Sequence, residues 1–164
     1  WGKEYVDLPN SYQKKHAKYL HDGGVNYVIG AHPHVVQPTY FDTSKNQLTS
    51  YSLGNFVSNQ RTHPRDGGMM LRLELVKNED GTTRILRAGY ILTWVYAPII
   101  DGQKYFFILP ASMYENKKEY FISESHYNKM KLYTKHAREL FDEHNINVKE
   151  YKWYPSQKKW DYAQ

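Results

Sequence analysis

Val25-Asn26-Tyr27-Val28-Ile29-Gly30-Ala31-His32-Pro33-His34 decides how this chain is read. Its first half is a short apolar run rich in β-branched residues, the mark of a buried strand. Its second half puts two histidines directly after that strand, where α/β folds place their ligands. Just upstream, residues 9–21 carry Tyr12, His16, Tyr19 and Leu20 at helical spacing. Asn10 or Ser11 can cap the start and Gly23-Gly24 can stop the helix. A helix feeding a strand predicts an α/β layer.

Downstream of Val36 the pattern becomes a succession of short β-like runs at residues 39–41, 48–52, 69–76, 84–94 and 104–109. Turn residues separate them at 42–46, 78–81 and 101–103, so an antiparallel meander is expected. In Met70-Leu71-Arg72-Leu73-Glu74-Leu75 the leucines share one face and Arg72 and Glu74 the other, which predicts one buried side and one wet side. Residues 125–144 place Met130, Tyr133, Ala137, Leu140 and Phe141 at helical spacing, with a cap at Ser123 or Ser125 and an end near Asn145. The tail, with Tyr151, Trp153, Tyr154 and Trp160 among lysines, shows no regular period and is expected to pack over the domain edge.

The whole chain has 164 residues, 40% of them hydrophobic, which excludes collagen-like and disordered classes and leaves enough apolar surface for an ordinary core. With no cysteine, disulfides and thiolate metal sites are excluded together, so any metal must be held by nitrogen and oxygen. The net charge of +5 favours anionic partners weakly. No nucleic-acid recognition module is legible, and no nucleic-acid partner is expected. The start at Trp1, with neither a leader nor an apolar stretch of membrane-spanning length, reads as a piece cut from something longer.

His32 and His34 are two apart, so in an extended segment both imidazoles point to one side and can clasp a divalent ion. The same pair can equally be loop histidines bonded to backbone or water. His63, in Thr62-His63-Pro64-Arg65-Asp66-Gly67-Gly68, reads as a solvent-facing loop residue.

Taken in order and spacing, four stretches resemble the capsule-synthesis CapA family of poly-γ-glutamate synthesis proteins. They are Trp1-Gly2-Lys3-Glu4-Tyr5, then Pro9 and Gln13, then Val28-Ile29-Gly30-Ala31-His32-Pro33-His34-Val35-Val36-Gln37, and Tyr51-Ser52-Leu53-Gly54-Asn55-Phe56-Val57. The resemblance covers about residues 1–110, leaving 111–164 as a helical, aromatic-rich C-terminal extension. That family is similar to calcineurin-like metallophosphoesterases. The resemblance therefore implies the C-terminal half of an α/β two-sheet sandwich with flanking helices, plus a C-terminal helix. It also implies that His32 and His34 are paired ligands in a site for one or two divalent ions (Mn, Zn or Fe). Asn55 would stand beside the site and Arg61 would grip an anionic substrate, a phosphoester or capsule polymer.

The family's other metal ligands, including a histidine just before the Trp-Gly motif, are absent from this chain. A catalytic metal needs about three protein ligands, so the isolated chain is expected to be inactive and its catalytic residues stay unassigned. The intact protein is expected to be a metal-dependent hydrolase located outside the cytoplasm or held at a membrane through a segment not in this chain. A missing N-terminal half or a second copy, giving a homodimer, is expected to cover the exposed sheet edge. A non-catalytic module that binds or guides an anionic polymer is the alternative. An amidohydrolase-like barrel ranks below both, since such barrels run to roughly 250 residues of repeated βα units.

Overall fold

The structure, a computed structural model, describes residues 1–163. Helix α1 (Ser11–Asp22) starts where Asn10 and Gln13 form a capping box: Asn10 Oδ1 accepts the Gln13 amide, and Gln13 Oε1 accepts the Asn10 amide. Gln13 is fully buried, and its Nε2 donates to Gln37 Oε1 at 2.7 Å. Gln37 Nε2 donates in turn to the Val6 carbonyl. Two buried amides are thereby satisfied, and α1 is fixed to the first sheet.

That sheet runs β1 (Tyr27–Ile29), β3 (Gln47–Leu53), β2 (Val36–Asp42) in space, with β1 parallel and β2 antiparallel to β3. A second sheet is built around the hairpin of β4 (Gly67–Lys77) and β5 (Thr83–Tyr96). Two short strands, β6 (Ile99–Ile100) and β7 (Gln103–Lys104), form a separate ribbon. Asp101 and Gly102 turn it with positive φ at both positions. The single run expected at 104–109 is thus divided between β7 and β8 (Phe107–Pro110), and β8 pairs with β5.

A short helix α2 (Ala111–Tyr114) leads to α3 (Glu124–His144), where Ser123 Oγ accepts the His126 amide as N-cap. Met130, Tyr133, Ala137 and Phe141 of α3 face Tyr90, Leu92 and Trp94 of β5, and all seven are buried in one core. The other end of α3 reaches the first sheet, for Asn145 Oδ1 accepts the Thr39 amide at 2.8 Å. The architecture is mixed α/β, with sheets flanked by helices and a C-terminal helix packed on both.

Two expectations change. The tail is a hairpin of β9 (Val148–Tyr154) and β10 (Lys159–Tyr162), and β9 runs parallel to β5. The segment after 110 is therefore part of the second sheet, and its helical content ends at His144. The strand period was hidden because each face of β9 mixes charged and aromatic residues, Lys149 with Tyr151 and Trp153, and Glu150 and Lys152 with Tyr154. In β4 the leucine face holds for Leu71 and Leu73, which pack against the core, but Leu75 is exposed. An irregularity between Glu74 and Leu75 shifts the register and turns Leu75 outward.

The sheets meet where Gly54, after β3, bridges Gly68 at the start of β4. A Cβ on Gly68 would lie 2.8 Å from the Asn55 and Leu53 backbone, closer than carbon atoms pack. Gly68→Ala is expected to destabilise the chain by about 1–3 kcal/mol in denaturant unfolding. Gly23→Ala, whose Cβ meets only carbonyls at 3.4 Å, is expected to change stability by under about 1 kcal/mol. Equal effects would contradict the close-approach account.

Candidate functional site

Strand β1 delivers Gly30, whose amide donates to the Ser50 carbonyl at 2.7 Å. The loop beyond it is held by the first five residues. The Trp1 backbone nitrogen donates to Ala31 O at 2.8 Å, Trp1 Nε1 to Tyr51 O at 2.7 Å, and the Tyr5 amide to Pro33 O at 2.8 Å. Only a residue without Cβ fits at 30, because a Cβ would sit 2.1 Å from Trp1 Nε1.

Under these restraints the His-x-His segment is not extended, as the same-side argument assumed. His32 has φ 102° and His34 has φ 60°, left-handed values that non-glycine residues adopt at a cost. The turn still brings the two rings together, with centroids 6.3 Å apart. His32 is exposed and His34 half-buried.

Asn55 sets the state of His34. Its own amide donates to Gly67 O, and its side-chain Nδ2 donates to Arg65 O at 2.8 Å. That leaves Asn55 Oδ1 as an acceptor, 3.0 Å from His34 Nδ1. An acceptor there requires the proton on Nδ1, so neutral His34 carries its free lone pair on Nε2. A ring nitrogen fixed in this way by a second residue is the arrangement seen behind metal-bound imidazoles. Asn55 is 8% exposed, and the Gly54–Gly68 crossing holds it in place.

Arg61 and Arg65 take different positions. Arg61 packs its guanidinium over Trp94, 5.4 Å from the ring centroid, and donates through Nη2 to Val95 O at 2.5 Å. Its Nη1 is buried without a partner, and burial lowers its pKa against the opposing pull of Asp66. Arg65, which the sequence reading left in a polar loop, lies over Tyr5 at 4.3 Å, and the Tyr5 ring is 6.0 Å from that of His34. The Gly67-Gly68 pair just after it was the available signal, since paired glycines mark close backbone approach. Asp66, 1% exposed, accepts Trp94 Nε1 at 2.8 Å and so fixes this loop to the core.

His63 is not the solvent-facing residue expected. Its ring lies 5.0 Å from that of His136 on α3, which in turn approaches Asp7 Oδ2 at 3.2 Å, and His63 Nδ1 is buried without a partner. The loop folds onto α3 because Trp94 and Asp66 pull it inward. Among the described residues, no group of three or more histidine, cysteine, aspartate or glutamate side chains could hold a metal ion.

Burial and His136 together depress the pKa of His63, outweighing Asp66 and Asp7; burial, Lys129 and Arg61 do the same for His126. In the window below about pH 6.5 the unfolded chain therefore binds more protons than the folded one. The stability that these two histidines contribute is complete above that window and is lost as pH falls through it. Thermal unfolding between about pH 7 and 5 is expected to show a melting temperature that falls with acid, with a shallower fall in His63→Asn. Equal slopes would contradict this.

Comparison with known proteins falls on the part of the site within residues 1–60. The family "Bacterial capsule synthesis protein PGA_cap" matches residues 1–60. The "PGA biosynthesis protein CapA" of Bacillus subtilis (strain 168) is 38% identical over 82 residues, 49% of this chain and 21% of that protein. The "Capsule biosynthesis protein CapA" of Bacillus anthracis is 41% identical over 71 residues, 43% of this chain and 17% of that protein. The chain thus matches about a fifth of the length of these relatives. No solved structure matches it. Residues 1–60, which carry both site histidines and Asn55, are thus similar to the bacterial capsule synthesis family PGA_cap.

Proposed function

We propose that this chain is a portion of a capsule-polymer biosynthesis protein in which His32 and His34 contribute to a divalent-metal site of metallophosphoesterase type. The observation that carries the reading is the relay from Arg65 O through Asn55 to His34 Nδ1, which leaves Nε2 unprotonated and free to ligate. His32, exposed and adjacent, is the second nitrogen donor. The donor chemistry suits Zn, Mn or Fe.

Two imidazoles are fewer than the roughly three protein ligands of a catalytic metal. The remaining ligands are proposed to come from outside these residues, from further polypeptide or a second copy, and the chain alone is proposed to be inactive. A bound ion would supply an activated water and stabilise negative charge on a phosphoryl or acyl oxygen. The work of this chain is then positional. Asn55 keeps His34 in one tautomer, and the Trp1 and Tyr5 contacts hold the strained loop in one conformation.

An anionic polymer or phosphoester is the proposed substrate class. Arg61 would have to leave Trp94 and Val95 to grip it, whereas Arg65 already stands beside the Tyr5–His34 pair. We place the intact protein outside the cytoplasm or at a membrane, as the family resemblance implies. No helix among the described residues is long and apolar enough to cross a membrane.

Calorimetric titration of the chain with Zn²⁺ or Mn²⁺ is expected to give weak binding of one ion. His32→Ala and His34→Ala should each abolish it, and Asn55→Ala should weaken it by about 10–100-fold. Binding unchanged in His34→Ala would overturn the assignment.

A further inference from the structure

The tail hairpin presents a surface that the proposed metal site does not use. Val148 and Glu150 of β9 point toward α3, where the Glu150 carboxylate takes two hydrogen bonds from Arg138. Strand alternation therefore sends Lys149, Tyr151 and Trp153 to the opposite face. Register continues that face across the sheet: Trp160 pairs with Trp153, Tyr162 with Tyr151, Gly89 with Lys149, and Arg72 with Gly89. Tyr162 lies over Gly89, where a Cβ would stand 2.5 Å from its Cε1.

The aromatic rings are braced rather than loose. Arg72 sits 4.1 Å from the centroid of Tyr151 and donates to the Tyr162 hydroxyl at 2.6 Å. Arg87 stacks on Tyr162 from 5.2 Å, and both arginines pair with Glu74. Trp160 lies nearly parallel to Tyr151, at 12° and 6.0 Å, and among the described residues no cation covers it. A groove of about 310 Å³ adjoins the platform. Tyr162 forms one wall, Thr43 and Asn147 offer polar groups, and Arg87 and Lys149 are its charged lining residues, with no carboxylate among the lining side chains.

We propose that this face binds an acidic polysaccharide, with a sugar ring stacked on Trp160 and a sugar carboxylate held in the groove by Arg87 and Lys149. The C–H face of a pyranose carries partial positive charge and meets the negative face of the indole. Arg87 meets Glu74 through Nε, so its terminal guanidinium nitrogens and the Lys149 ammonium are what the groove offers to complement an anion. A flexible acidic peptide would use the charges but not the ring faces. A nucleic acid would use both, but its charge sits on the backbone rather than on the stacked ring. The inference is independent of the metal site.

Titration of the 164-residue chain at low salt with hexagalacturonate, cellohexaose, a glutamate hexamer and a thymidylate hexamer tests it, read by calorimetry and by the four indole N–H resonances. Hexagalacturonate is expected to bind tightest, by about ten-fold or more over each of the others, and to shift Trp160 but not Trp1 or Trp94. Trp160→Ala and Arg87→Gln should each lower its affinity by about ten-fold or more. Circular dichroism checks the fold of each variant, and Arg87, with its side chain 59% exposed, keeps the test decisive if the tryptophan variant is unstable. No binding, equal binding of the glutamate or thymidylate hexamer, or full affinity in Arg87→Gln would overturn the proposal.

Discussion

The structure depends on one close approach of two backbones. Gly54 leaves β3 with φ 70° and bridges Gly68 as β4 begins, at a spacing that admits no Cβ on Gly68. This crossing joins the two sheets, and Asn55 follows Gly54 directly in the chain. Its amide is held by Gly67 O and its side chain by Arg65 O, so its free oxygen has only one direction to face. The tautomer of His34 is therefore a consequence of sheet packing. Close packing transmits position in this way because a dense interior leaves little room for adjustment.

A second restraint acts from the other side. Trp1 and Tyr5 hold the carbonyls of Ala31 and Pro33, and the histidine loop between them takes left-handed backbone angles at His32 and His34. Such angles persist where surrounding contacts over-determine them, and they gather at functional sites. The segment that matches the capsule-synthesis family, residues 1–60, contains Trp1, Tyr5, His32, His34 and Asn55 but ends before Arg65, Gly67 and Gly68, which hold Asn55. The histidine loop and Asn55 thus lie inside the matched family segment, while the backbone that supports Asn55, the α3 core and the tail hairpin stand outside it.

Much of this was legible in the sequence. The start of α1 followed from Asn10 and Gln13, α3 from its helical spacing and Ser123, and the His-x-His position from the strand before it. What was not legible depended on long-range contacts. The positive φ of His32 and His34 arises from hydrogen bonds to residues about thirty positions away in the chain, which no local pattern encodes. His63 reads as a polar loop residue until Asp66 and Trp94 draw the loop under α3. The tail is a pair of strands, but each face of β9 mixes charged and aromatic residues, so no clean apolar stripe marks it. Arg65 was missed because both its contacts, its carbonyl with Asn55 and its guanidinium over Tyr5, are long-range, with only the neighbouring Gly67-Gly68 pair as a local signal.

The central claim is that sheet packing, through Asn55, fixes the tautomer of neutral His34. Long-range proton–nitrogen correlation spectra of the imidazoles above pH 7 test it most directly. The account predicts that neutral His34 carries its proton on Nδ1 in the native chain and loses that preference in Asn55→Ala. A native His34 protonated on Nε2, or one indifferent to Asn55, would contradict it.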